Sequence, residues 1–574
     1  MRKILLLTFL VICMNMIAQD KHASEKYTSP FDFRLLLSGT FGELRNNHFH
    51  AGIDIKTNEE VGRRLYSIAD GYISRIKVST WGYGKVLYIN HPDGNTSVYA
   101  HMQRFNDEIE KFISSKQYEK ESFEIEIRPD EDDFPIKKGG LIGFAGNTGF
   151  SGGPHLHFEI RETETQKPLN PLRFGFDVQD DISPVIEDVI IYSDYPNNPL
   201  FVETKNAKKI RYAVKKHGSV YSLEKEEIIQ VHGNVAFGIH TFDRQNGAPN
   251  NRNGIYSIKL FVDSNLIHHF QVDELDFSEK RFINAHIDYE EYSKTKTRFN
   301  RCHKLPYNEL SNYSHITNNG IINFTDTNLH NIKFEVSDIE KNISILEFQV
   351  QSKESKKRNE ESNDATLGIL QYNKPNIYTN DDFEVHIKKY SLYKNYNLLY
   401  ALDPKMKTTF SDIHNIMDES TPLHKDVVIS IKSDVPERLQ EKVFIAKLEK
   451  NNTFTYKGKT WRDKFLSAKT SKFGKYCIVA DTNSPHISNI KLDRKENMYG
   501  GKGKISVNIL DKESGIAYYR GEINGKWILM EYEYKKNDLT YYIPSDFKKG
   551  TYKIMIIVKD RMNNEKRIEE EFIY

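Results

Sequence analysis

Gly153-Pro154-His155-Leu156-His157-Phe158-Glu159 decides how the first third of this chain folds. Imidazoles alternating with Leu156 and Phe158 give the period-two pattern of a β-strand with one face turned to a core. On such a strand His155 and His157 project from the same side, about 6–7 Å apart along the backbone. The pair can set one imidazole on a metal ion with the other beside it. Taken alone, it also describes two half-buried histidines bonded to backbone. Glu159, next in line, reads as structural.

Two upstream clusters shift that balance. His48-Phe49-His50-Ala51-Gly52-Ile53-Asp54 offers a histidine and a carboxylate, which bind zinc at about 2.0–2.2 Å. On a straight strand His50 and Asp54 would stand roughly 13 Å apart. They can share an ion only if the chain turns between them, and Gly52 is the residue that permits it. Tyr99-Ala100-His101 supplies a further imidazole. Two nitrogens and one carboxylate oxygen would leave a fourth tetrahedral position for water, the layout of a catalytic zinc. A structural zinc is usually closed by four protein ligands, often cysteines, and no cysteine lies nearby.

The intervening sequence is strand-like and punctuated by glycine. Val86-Leu87-Tyr88-Ile89-Asn90 and Thr96-Ser97-Val98-Tyr99-Ala100 flank His91-Pro92-Asp93-Gly94-Asn95 and predict a hairpin, with His91 at a strand end. Residues 106–120 predict a helix capped by Asn106, with Asp107 and Glu108 in its first turn and Ile109, Phe112 and Ile113 on one face. Gly139-Gly140 and the glycines of 146–153 lack the Gly-Lys-Ser/Thr ending of a phosphate loop. They fit turns that let a substrate backbone approach a groove floor.

Together His-x-x-x-Asp, Tyr-x-His and Gly-Pro-His-Leu-His-Phe-Glu resemble the lysostaphin-type, or duplicated-hybrid-motif, zinc peptidases. Gly71 within Ile68-Ala69-Asp70-Gly71-Tyr72, and Gly146-Asn147-Thr148-Gly149, extend the resemblance, which covers roughly residues 31–172. It implies an antiparallel β catalytic domain with one Zn²⁺ held by His50, Asp54 and His157. His101 and His155 would be its catalytic histidines, and the register favours His50 over His48 as ligand. With no His-Glu-x-x-His helix to supply a glutamate base, an unligated imidazole must orient or deprotonate the water. The helical and acidic insertion between His101 and Lys137 departs from the pattern, as does the C-terminal two-thirds.

The 574 residues exceed one core, and roughly three or four domains are expected. Against 80 acidic side chains stand 81 basic ones, a net charge of +1 that provides no field to attract nucleic acid or a membrane surface. Arg2 and Lys3, an apolar run over 4–16 and Ile17-Ala18-Gln19-Asp20 predict a secretory signal peptide over 1–19. That run falls short of the about 20 apolar residues a span needs, so no transmembrane segment is expected after cleavage. Cys13 follows Ile12 where a lipidated cysteine needs a small residue. Cys302 and Cys477 then remain, expected as buried thiols rather than a disulfide framework.

The fold class expected is mainly β: a peptidase domain over 30–175, then β-sandwich modules of immunoglobulin or fibronectin type. The modules are expected over 182–350 and 481–574, with a β-rich domain or linker over 351–480. Residues 352–364 are strongly polar and suggest a junction. Ser484-Pro485-His486-Ile487 echoes Ser183-Pro184-Val185-Ile186, as if two modules began alike. His268-His269 has no carboxylate at useful spacing and reads as incidental. The resemblance implies a zinc endopeptidase that hydrolyses peptide cross-bridges of peptidoglycan, and the signal peptide predicts export to the periplasm or cell envelope. The alternatives are a non-catalytic peptidoglycan binder that regulates other wall hydrolases, and an adhesive or scaffold protein. Retention of every ligand and catalytic position favours the enzyme.

Overall fold

The computed structural model describes residues 26–193, 208–352 and 367–574. The expected signal peptide, and all but the first residue of the polar stretch 352–364, lie outside them. The molecule is mainly β, and its N-terminal domain is built on one antiparallel sheet. The longer strands are β1 (Leu37–Gly39), β2 (Ile53–Lys56), β3 (Gly71–Val78), β4 (Lys85–Asn90), β5 (Asn95–Phe105), β6 (Leu141–Ala145) and β7 (His155–Glu162). Their order is β1–β2–β7–β5–β4–β3, with β6 against the far end of β5.

Alternation along β7 drives this arrangement. Leu156, Phe158 and Ile160 are completely buried and join Ile53, Ile55, Tyr99 and Phe105 in one core, each such side chain contributing about 1.5–3 kcal/mol. The opposite face is left to His155, His157, Glu159 and Arg161. The expected hairpin is β4–β5, paired from Asn90↔Thr96. The expected helix is α1 (Asp107–Lys120), where the Asn106 side chain accepts from the Ile109 amide at 3.0 Å and Ile109 and Ile113 are buried. The segment after α1 stays in the domain, because Ile125–Ile127 and Pro135–Ile136 both pair with β3.

Among the described residues, the later parts of the chain build further cores, three of which define its modules. The first is wrapped by a sheet containing β8 (Val185–Ser193), β9 (Gly233–Gln245), β10 (Ala248–Asn253), β11 (Leu329–Ser337) and β12 (Ile343–Ser352). That sheet is mixed, since Val220–Leu223 and Ile229–Val231 pair in parallel with β12. Residues 369–480 form two five-stranded sheets about a core that includes Phe383, Val385, Ile429 and Tyr476. The last core, with Ile505, Val507, Ile554 and Ile556, lies between two sheets that contain β13 (His486–Ile487), β14 (Lys502–Leu510), β15 (Thr551–Asp560) and β16 (Glu565–Ile573). Cys302 and Cys477 are both buried free thiols.

Candidate active site

The register of β2, β7 and β5 assembles the site. His157 stands directly opposite Asp54 on one side and Ala100 on the other. His50 precedes β2 and is almost fully buried. The bend between His50 and Asp54 exists, with Gly52 within it. Its φ is not positive; instead a Cβ there would lie 2.3 Å from the Phe158 carbonyl oxygen. Close approach of two backbones, rather than a left-handed turn, requires the glycine.

His101 reaches the site through a bulge. Residues 99–102 of β5 oppose only residues 85–87 of β4, and His101 takes φ 59°. An extra residue in the left-handed region turns a side chain that regular alternation would send to the other face of the sheet. Its ring lies 4.9 Å from that of His155 and 5.9 Å from that of His157.

Hydrogen bonds fix which nitrogen each ring presents. His50 Nδ1 lies 2.8 Å from the Thr40 carbonyl, His101 Nδ1 2.8 Å from the Thr148 carbonyl, and His155 Nδ1 2.8 Å from the Gly153 carbonyl. A carbonyl only accepts, so each Nδ1 carries the proton and each Nε2 offers a lone pair. His157 is reversed: its Nε2 lies 2.8 Å from Glu159 Oε1, leaving Nδ1 to face Asp54 Oδ1 at 2.9 Å. His50 Nε2 is 3.1 Å from that oxygen and 2.9 Å from His157 Nδ1. Three ligand atoms thus converge on one point, and the proton that His157 Nδ1 shares with Asp54 is the one a cation would displace. Ligands about 2.0 Å from a tetrahedral zinc stand roughly 3.3 Å apart, so this triangle, with sides of 2.9–3.1 Å, would need only a small expansion to hold the ion. The donor set fits the ion.

Electrostatics agree with a cation at that point. Burial pushes His50 down to about 4 and His101 down to about 3, the latter helped by the neighbouring His157 and His155. His157 moves the other way, to about 9: burial opposes its charge, but hydrogen bonds to Asp54 and Glu159 outweigh that cost. Asp54 sits well below the carboxylate range; burial opposes ionisation, but His50, His155 and His157 hold it charged. Asp54 Oδ2 also accepts from Arg45 at 2.5 Å.

Glu159, expected as structural, acts on the site itself. It is fully buried and accepts from His157, from Arg161 Nε at 2.6 Å and from the Tyr83 hydroxyl at 2.5 Å. A carboxylate behind a metal-facing histidine fixes its tautomer and raises its basicity. The signal was present in the strand period, because Glu159 and Arg161 share the face of His155 and His157. Tyr83, whose ring stacks 5.3 Å from that of His157, carries no such signal. His48 is exposed beside the Asn46 carbonyl, and His91 bonds Asp70 and Ser97 at the hairpin end. His268 is buried in the second core region, away from the site.

A cavity of about 870 Å³ opens over these residues. Its floor is His50, Asp54, His101, His155 and His157, and Trp81 and Phe150 stand at its margin. The module after the first domain contributes a wall through residues 275–281, including Phe277, Lys280 and Arg281. The C-terminal module packs against the Trp81 and Gly149 segments beside the cavity. Tyr534 packs on Trp81 with ring centroids 3.7 Å apart, and Lys535 donates to the Gly149 carbonyl at 3.0 Å and to that of Asn147. Buried Lys85 pairs with Glu531 at 3.0 Å.

Residues 48–118 match the family described as peptidase family M23. The N-terminal domain belongs to peptidase family M23. Residues 368–481 match a Zu5-like domain. The DD-carboxypeptidase/endopeptidase Mpg of Neisseria meningitidis serogroup B is 29% identical over 147 residues, 26% of this chain and 26% of that protein. Lysostaphin of Staphylococcus simulans is 26% identical over 115 residues, 20% of this chain and 18% of that protein. The chain therefore spans about a quarter or less of the length of these relatives. Among solved structures, the catalytic domain of the prophage-encoded M23 protein EnpA from Enterococcus faecalis is 25% identical, covering 25% of this chain and 88% of that one, at a TM-score of 0.17. The M23 match begins at His48 and ends within α1, so it includes His50, Asp54 and His101.

Proposed function

We propose that this M23 protein is an exported zinc-dependent endopeptidase that hydrolyses peptide cross-bridges of bacterial peptidoglycan. The observation that carries the reading is the convergence of three lone-pair donors, His50 Nε2, Asp54 Oδ1 and His157 Nδ1, beside two more imidazoles that present Nε2. The relatives named as endopeptidase and as lysostaphin support the substrate class.

His50, Asp54 and His157 would hold the ion, with Arg45 and Glu159 fixing Asp54 and His157 from behind. Zinc supplies a water acidified towards pKa about 7 and a Lewis acid for the scissile carbonyl. The chain's own residues do the rest. His101 and His155 each have Nδ1 tied to a backbone carbonyl, so each can take a proton at Nε2 as general base. A protonated Nε2 can in turn donate to the oxygen that gains charge during attack. Phe150, Trp81 and Phe277 line an apolar margin that limits water around an extended peptide.

The test is to incubate the purified mature chain with peptidoglycan, with zinc or with a chelator, and to follow released muropeptides by mass spectrometry. Cross-link cleavage that the chelator abolishes and zinc restores is expected. Cleavage insensitive to chelator, or equal in His157→Ala, would refute the assignment.

A further inference from the structure

The echo of Ser183-Pro184 in Ser484-Pro485 is the visible part of a longer recurrence. Each pair is preceded by an aspartate three residues before the serine, Asp180 and Asp481. In each module the strand that follows pairs with another just ahead of a second aspartate: Val185 opposite Phe242 before Asp243, and His486 opposite Leu510 before Asp511. In each, a third aspartate in a hairpin is capped by an asparagine four residues on. The Asn342 amide and Nδ2 donate to Asp338, and those of Asn564 donate to Asp560. Asn342 Nδ2 and Asn564 Nδ2 also reach the carbonyls of Asp180 and Asp481.

The two copies differ in how their carboxylates are satisfied. In the C-terminal copy the Ser514 amide and hydroxyl donate to Asp481 Oδ2 at 3.2 and 2.6 Å, and the Gly515 amide donates to Asp511 at 2.5 Å. In the first copy Asn246 takes the place of Ser514, and its Oδ1 accepts from the Asp181 amide rather than donating to the acids. Asp243 is 3% exposed, and its Oδ1 has no hydrogen-bond partner. Directly opposite it on β10 stands Asn253, 2% exposed, with both side-chain atoms unpartnered. Asp180, Asp243 and Asp338 each bring one oxygen within 4.8 Å of the others, and among the described residues no ion pair neutralises any of them.

We propose that Asp180, Asp243 and Asp338, with Asn253 Oδ1, form a calcium site at the joint between the M23 domain and the module that follows it. A set of hard oxygens without histidine or cysteine selects a hard divalent cation. Oxygens on opposite sides of a calcium ion bound at 2.3–2.6 Å stand about 4.6–5.2 Å apart, which the present spacing accommodates with little movement. Without a cation, burial and then the neighbouring carboxylates push Asp243 up to about 9 and Asp180 up to about 7. The ion would fasten residue 180, at the exit of the M23 domain, to β9 and to the hairpin of β11 and β12. It would thereby fix the module whose residues 275–281 wall the cavity.

Calcium chloride titrated calorimetrically into the full chain, stripped of metals and reloaded with zinc, tests the site. One calcium per chain is expected, with a Kd on the order of 10⁻⁴ M as in extracellular modules. Asp243→Asn should weaken it at least about tenfold, while Asp511→Asn, in the self-satisfied copy, should leave it unchanged. Absence of binding, magnesium binding as tightly as calcium, or an Asp243→Asn titration like wild type would overturn the proposal. Should that variant not fold, Asp180→Asn, half-buried on the linker, is read in the same way. Melting gives an independent reading. Without calcium Asp243→Asn should melt above wild type, since it lacks the crowded carboxylate, and calcium should reverse the order. A variant that melts below wild type under both conditions marks a hydrogen-bonding role and overturns the site.

Discussion

Replacing Glu159 by glutamine tests whether the carboxylate behind His157 governs metal affinity. The substitution keeps shape and volume but removes the charge that accepts from His157 Nε2 at 2.8 Å and from Arg161 Nε at 2.6 Å. Two effects follow. The imidazole becomes a weaker base, and loss of such a partner typically lowers metal affinity by about 10–100-fold, or roughly 1.4–2.7 kcal/mol. Arg161, 6% exposed, also loses its counter-charge. Breaking a buried pair from one side costs about 3–5 kcal/mol, eased here because the guanidinium still lies 4.6 Å from the Phe277 ring. Zinc affinity is measured by competition with a chromophoric chelator at pH 7.5, and fold retention by circular dichroism and melting. Arg161→Met, which removes the other partner, should lower stability with a smaller change in zinc affinity. A folded Glu159→Gln protein that binds zinc within about twofold of wild type would refute the reasoning, since His157 would then need no carboxylate to present Nδ1.

Other expectations follow from the same geometry. His101→Ala and His155→Ala should keep zinc yet lose about 10²–10⁴-fold in cleavage rate; loss of zinc in either would make that residue a ligand. The chelated protein should lose stability as pH rises from about 6.5 to about 9. The His157 pKa is raised in the fold, so its contribution is complete below the unfolded value and gone above the folded one, on the order of 3 kcal/mol. A chelated protein whose denaturant midpoint is flat across that window would contradict the ring's contacts with Asp54 and Glu159. Lys85→Met should loosen the C-terminal module, because Lys85 is 3% exposed and its Nζ lies 3.0 Å from Glu531 and 2.6 Å from the Tyr499 hydroxyl. About 3 kcal/mol of docking is at stake, and limited proteolysis between the modules should accelerate.

Local rules made much of the site legible. The His155–Glu159 run announces its own strand because alternation is a property of neighbours, and α1 announces its start because Asn106 caps it from within four residues. The reasons behind His101 and Gly52 were not legible. His101 depends on a bulge created by β4 against β5, and Gly52 on the Phe158 carbonyl passing 2.3 Å from where a Cβ would stand. The first is a register shift within a hairpin whose existence was legible, the second a pairing of segments far apart in sequence, and a local pattern specifies neither register. Glu159 lies between these cases, since its face was legible but its partner was not.

The same distinction bears on the modules. Residues 275–281 line the cavity and Tyr534 packs on Trp81 at its margin, about 120 and about 380 residues after the last histidine of the site, and no motif marks either segment. Under the proposed function, a wall contributed by Phe277, Lys280 and Arg281 would restrict which peptides reach His101 and His155. Docking through Lys85–Glu531 and Lys535–Gly149 ties the C-terminal module to the loop whose Thr148 carbonyl orients His101. Movement of the C-terminal module would therefore reach the His101 imidazole through the adjacent Gly149 and Thr148 carbonyls. The N-terminal domain brings His50, Asp54, His101, His155 and His157 together, and residues 275–281 of the following module help to line the space above them.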